Sequence, residues 1–111
     1  MLNVSISWRG ESGATYIFDV FPESQIFNPV AGVYVLCRMG DTRGWEALLV
    51  AETENLRESL NQRASHSQGY RLAVEAGMTH IATLPIASQD ARRAVASDLA
   101  RGLLARFGPP A

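Results

Sequence analysis

Five uninterrupted apolar residues near the middle of the chain, Ala47-Leu48-Leu49-Val50-Ala51, constrain the fold more than any other stretch. A short run of this kind is the pattern of a strand covered on both faces. A chain that covers both sides of a strand must place further strands beside it and other elements above and below it. The rest of the sequence supplies them in an order that can be read.

Val4, Ile6 and Trp8 alternate with Ser5 and Ser7, which predicts a half-buried strand over residues 3–8. Arg9-Gly10-Glu11-Ser12-Gly13 is a glycine-rich turn, and the β-branched and aromatic residues 15–21 form the partner strand of a hairpin, ended by Pro22. A connecting loop over 22–31 leads to a strand over 33–38, a turn over 39–44, and the strand 45–51. Thr53 is the expected cap of a short helix striped by Leu56 and Leu60, with Glu54 in its first turn. Ser65 or Ser67 caps a second helix carrying Tyr70, Ala73 and Val74, which Gly77 stops. A strand over 79–84 ends at Pro85. The last helix begins at Ser88 and buries Ala91, Val95, Leu99, Gly102 and Leu103, with Gly102 packed closely on another element. Arg106 favours its C-terminus and Gly108-Pro109-Pro110 stops it. The expected order is β-β-β-β-α-α-β-α, an α+β domain with helices against an antiparallel or mixed sheet.

At 111 residues the chain is expected to form one domain, 1–111, able to bury roughly two thirds of its unfolded surface. The net charge of −1 gives no overall electrostatic footprint for nucleic acid. Every cationic side chain is arginine, which keeps local bidentate anion contacts available. Cys37 stands alone inside an apolar strand and reads as a small buried hydrophobe, so no internal disulfide is expected and the compartment is expected to be reducing. The N-terminus lacks a cationic segment followed by an apolar run, and no stretch approaches the ~20 apolar residues of a bilayer span. A cytoplasmic protein without a membrane partner is the expectation. No His/Cys spacing suggests zinc. Trp8 and Trp45 read as packing residues, and His80 as packed or hydrogen-bonded.

Several residues, in order, carry a family resemblance. Gly32-Val33-Tyr34 opens one strand, and Leu49-Val50-Ala51 closes the next. Asn55-Leu56 follows, then Gly77-Met78-Thr79-His80-Ile81 and Ala96-Ser97-Asp98-Leu99. Over residues 31–110 this order resembles the GIY-YIG nuclease domain, a β-β-α-α-β-α unit with helices around a three-stranded sheet; residues 1–21 would be an added hairpin. The resemblance implies two tyrosines flanking a scissile phosphate, an arginine on the phosphoryl oxygens and a glutamate holding one divalent ion, usually magnesium. Tyr34 matches the first tyrosine. Leu49 stands at the second, Ser59 at the arginine and Ala96 at the glutamate, and none of these can do the chemistry of the residue it replaces. His66 falls near a family histidine or tyrosine, and Arg63 lies one turn after Ser59.

Three readings follow. The first is a domain with little or no nuclease activity that binds DNA, a protein partner or a second copy of itself, with no cofactor. Its size suits a phage or bacterial accessory protein. Arg57, Arg92, Arg93 and Arg101, with Arg106, are its candidate contact residues along basic edges. The second is a divergent magnesium-dependent endonuclease using Tyr34, His66, Arg63 and one of Glu52, Glu54 or Glu58. The third is an interaction or inhibitory module that uses the hairpin edge for strand addition.

Overall fold

The alternation at the start of the chain produces the hairpin it predicts. Strands β1 (Val4–Arg9) and β2 (Thr15–Pro22) pair antiparallel in unbroken register, from Val4 opposite Val20 to Arg9 opposite Thr15. Gly13 sits at φ 91° in the turn, a conformation open to glycine without steric cost. The structure, a computed structural model, describes residues 4–40, 44–62, 64, 67–103 and 105–107.

A second antiparallel pair is formed by β3 (Gly32–Met39) and β4 (Trp45–Thr53). Strand β5 (His80–Pro85) lies between the two hairpins, antiparallel to both β2 and β3. The two-residue β6 (Arg106–Phe107) joins β4 in parallel. The sheet order is β1-β2-β5-β3-β4-β6. With helices α1 (Gln68–Glu75) and α2 (Gln89–Gly102), the fold is α+β, and the β1–β2 hairpin is continuous with the main sheet.

Strand alternation sorts the core into two clusters. Val33, Val35, Cys37, Val50 and Ala82 point toward α2 and pack with Trp8, Phe18 and Val20 from the hairpin and Ala96, Leu99 and Ala100 from the helix. Tyr34, Leu36, Leu49, Ala51 and Ile81 point the other way, under Phe27, Leu56, Leu60, Ala73 and Met78. A bulge opposite the Leu36–Cys37 step leaves Leu48 as the extra residue of β4. Leu48 and Leu49 therefore lie on one side before alternation resumes at Val50. Phe18, Leu36, Ile81 and Leu99 are fully buried, each contributing on the order of 1.5–3 kcal/mol through removal of apolar surface from water.

Some boundaries differ from the sequence expectation. Strand β4 continues through Thr53, whose hydroxyl accepts from the Asn55 amide at 3.1 Å and shares a 2.6 Å hydrogen bond with the Ser59 hydroxyl. Thr53 is thereby taken up by the sheet end. Asn55 caps the following turn instead, its Oδ1 accepting from the Glu58 amide at 3.0 Å. That turn runs into a π-helical segment, Glu58–Gln62, with Leu56 and Leu60 buried as expected. Ser67 caps α1, and Ser65 lies outside the described residues. In α1 Ala73 is buried but Val74 is 49% exposed, because only one side of this short helix meets the sheet.

Ser88 caps α2 as expected, accepting from the Ala91 amide at 3.2 Å. The buried stripe is rotated from the predicted one. It runs through Arg92, Ala96, Leu99 and Ala100, while Ala91 is exposed and Val95 and Leu103 are half-buried. Helix α2 ends at Gly102, capped by Leu103, so that Arg106 belongs to β6 and not to a helix end; residues 108–111 lie outside the described residues. Close packing at Gly102 is real: a Cβ there would stand 2.4 Å from the Glu11 nitrogen and 2.5 Å from the Gly10 carbonyl carbon.

Candidate functional site

The positions matched to the nuclease motif start from Tyr34. It stands on β3 between Ala51 of β4 and Thr83 of β5, pointing away from α2. Its side chain is 4% exposed, and burial, reinforced by the Glu52 carboxylate, pushes its hydroxyl up to about 12. A phenol so placed does not ionise near neutrality. The bulge in β4 brings Leu49 to the same face. Ser59 is buried beyond the end of β4 and held by Thr53, which alternation also places on this face. Ala96 is fully buried on the sheet-facing stripe of α2, on the opposite side of the sheet. Tyr34, Leu49 and Ser59 thus share a face that Ala96 does not. His66 and Arg63 lie outside the described residues.

The arginines grouped as a contact edge are separated by the fold. Arg92 is not on a surface edge. It is 2% exposed, its Nε donates to Glu52 Oε1 at 2.9 Å, and its Nη1 donates to the Ala87 and Ile86 carbonyls at 2.7 and 3.3 Å. It is buried because it shares the stripe of Ala96 and Leu99, at helical spacings of four and seven. The pair also accounts for Glu52, which is buried at 4% exposure. Arg57 donates to the Phe27 carbonyl at 2.8 Å. Arg101 is exposed and bound to Glu11 at 3.1 Å and to the Ser97 hydroxyl at 2.7 Å. Arg93 is exposed on the rim of a polar cleft of about 430 Å³ at the end of β4, with Glu52, Glu54, Asn55, Glu58 and Gln89. Among the described residues no group of three or more His, Cys, Asp or Glu side chains is placed to hold a metal ion.

On the face away from α2 the sequence reading missed a second hollow. A groove of about 240 Å³ lies between the β2–β5 surface and the loop over 23–31. Phe21, Phe27, Ile26, Val30, Leu56 and Pro85 form its walls, and Asp19 and Thr83 stand opposite each other across the two strands. Phe21 and Phe27 meet edge to face at 5.6 Å. Ile26 and Val30 are 66% and 42% exposed. The loop over 23–31 reads only as a connection, and the pairing of Asp19 with Thr83 is set by the β2–β5 register. No periodic signal could have joined them.

Asp98 was also unforeseen as an organising residue. Its carboxylate accepts from the Ser12 amide at 2.8 Å, the Ser12 hydroxyl at 2.7 Å and the Tyr16 hydroxyl at 2.8 Å. The Ser12 hydroxyl contributes most to holding this carboxyl below the ordinary range, followed by the Ser12 amide and Tyr16. The same contact raises Tyr16. Cys37 is buried, as expected, and burial pushes its thiol up to about 12, so it is not a nucleophile. Trp45 packs against the α2-side cluster and meets the half-buried His80 ring edge to face at 4.8 Å. No helix among the described residues is long and apolar enough to cross a membrane.

Comparison with family models, with curated proteins and with solved structures finds no match for this chain.

Proposed function

We propose that this chain is a GIY-YIG-like domain that has lost its cutting chemistry and acts by binding a protein partner. The order β3-β4-turn-α1-β5-α2, with β5, β3 and β4 adjacent in the sheet, supports the family reading. One observation carries the loss of catalysis: the ring of the retained tyrosine is packed in an apolar cluster at 4% exposure, on the opposite face from Ala96. Without the donors that stabilise charge on a phosphoryl group, a rate loss on the order of 10²–10³ per group is expected.

A protein partner is favoured over DNA by how the arginines are spent. Arg38, Arg92 and Arg101 are in ion pairs and Arg57 is bound to a carbonyl. The other described arginine side chains, Arg9, Arg71 and Arg93, are exposed but lie on three separate elements, β1, α1 and α2. Affinity for a phosphate backbone comes from several cations acting together.

The test is cleavage of plasmid and single-stranded DNA with magnesium or manganese. We expect no cutting above buffer. Metal-dependent cutting that Tyr34→Phe abolishes would overturn the proposal.

A further inference from the structure

We infer that the groove between β2, β5 and the loop over 23–31 is a docking site for a protein segment that presents an apolar side chain next to a lysine or arginine. The inference rests on the reading that the domain acts by binding, and it names where and what.

The cavity's size decides the class of occupant. Small-molecule sites usually enclose roughly 300–1,000 Å³. At about 240 Å³ this groove suits one anchoring side chain better than a metabolite. Its aromatic and aliphatic walls stand beside Asp19, Gln25, Asn28 and Thr83, whereas the described residues that line the larger cleft at the end of β4 are all polar or charged. Ile26 and Val30 are held outward into water, an arrangement that a covering partner would relieve.

The polar atoms specify the neighbour of that anchor. Thr83 lines the groove, and its hydroxyl makes no hydrogen bond to a described residue and is not among the side-chain atoms cut off from solvent. It is therefore open on the groove side, where a polar group of a partner can take the place of water. Asp19 is the one acidic or basic residue among the described residues that line the groove. One of its oxygens accepts from the Ser5 hydroxyl at 3.1 Å, which leaves the other for a cation.

The loop wall is preorganised, which lowers the ordering cost of binding. Asn61 donates to the Gln25 carbonyl at 2.9 Å and accepts from the Phe27 amide at 2.8 Å. Arg57 holds the Phe27 carbonyl at 2.8 Å, and the Leu56 amide donates to the Val30 carbonyl at 2.9 Å.

The experiment titrates N-acetyl-leucyl-lysine amide into the isotopically labelled full chain and follows backbone amide resonances. N-acetyl-leucyl-glutamate amide and N-acetyl-seryl-lysine amide are the comparison probes. Saturable shifts at Ile26, Phe27, Val30, Leu56 and Thr83 are expected with the first peptide, and at least severalfold weaker binding with the other two. Asp19→Asn should weaken the leucyl-lysine peptide roughly fivefold, the loss of one solvent-accessible ion pair, and erase its preference over the glutamate peptide. Shifts confined to other residues, no saturation, or equal binding of the glutamate peptide would overturn the inference. So would peptide-free shifts of these same amides that grow with protein concentration, which would make a second copy the occupant. DNA cleavage by the same sample would overturn the reading of the preceding subsection and leave the groove standing. A flat titration would overturn the groove and leave that reading standing.

Discussion

Helix α2 seals its side of the sheet from β1 to β4, packing on Trp8, Phe18, Val33, Val35 and Val50 and closing with a buried ion pair at one end and the Asp98 clamp at the other. The opposite side is covered in pieces. The π-helical segment and α1 lie over β3 and β4, the loop over 23–31 lies over β5, and Ile17 on β2 is left 64% exposed. The closed side joins β1 and α2, far apart in sequence, in one core. The open side leaves Ile17, Ile26 and Val30 in water, apolar surface that a partner could cover.

The largest test of this contrast is Arg92→Ala, which strands a buried Glu52. We expect a loss of about 3–5 kcal/mol in urea unfolding, most of it recovered in the double variant Arg92→Met/Glu52→Leu. A loss below about 1 kcal/mol in the single variant would mean that the sealed face is wetter than described. Gly102→Ala comes next, because its Cβ would meet the backbone of Gly10 and Glu11, which cannot swing aside. Overpacking of this kind costs about 1–3 kcal/mol, although alanine is the better helix former. A stabilised Gly102→Ala variant would refute the tight contact between α2 and the hairpin turn.

Asp98 sharpens the contrast through pH. Its folded value is depressed below 3.8, so the clamp's stabilisation is present above that ordinary value and is lost as pH falls through the lowered one. Thermal melts in acid should therefore fall more steeply for the parent than for Asp98→Asn. Parallel acid limbs would show that the clamp does not contribute. The smallest effect is expected on the open side: Ile26→Ser should change stability by no more than about 0.5 kcal/mol, since the side chain is mostly in water. A larger loss in the same urea titration would make Ile26 a folding residue and not a contact residue.

Much of the fold was legible. The alternation of Val4, Ile6 and Trp8, the run 47–51, the cap Ser88 and the choice of Ser65 or Ser67 as a cap all mark elements that form. Errors came where one local signal was set against a tertiary one. Thr53 is a good cap by type, but β4 runs through it and Asn55 takes the role. Arg92 reads as a surface cation from its charge alone, and only Glu52, 40 positions away, makes its burial tolerable. For the candidate site less was readable. Tyr34 could be picked out by its place in a motif, but its sealing beneath Leu56, Leu60 and Phe27 depends on elements that no short-range pattern connects to it.

The sequence alone determined the kinds of element and their order, because hydrophobic period, capping residues and turn glycines act over a few positions. Only the tertiary structure decided which face each strand shows to which helix. That choice turned on one extra residue in β4, on the β2–β5 register that sets Asp19 against Thr83, and on a buried ion pair. These are long-range pairings, and their energies exist only once distant segments meet.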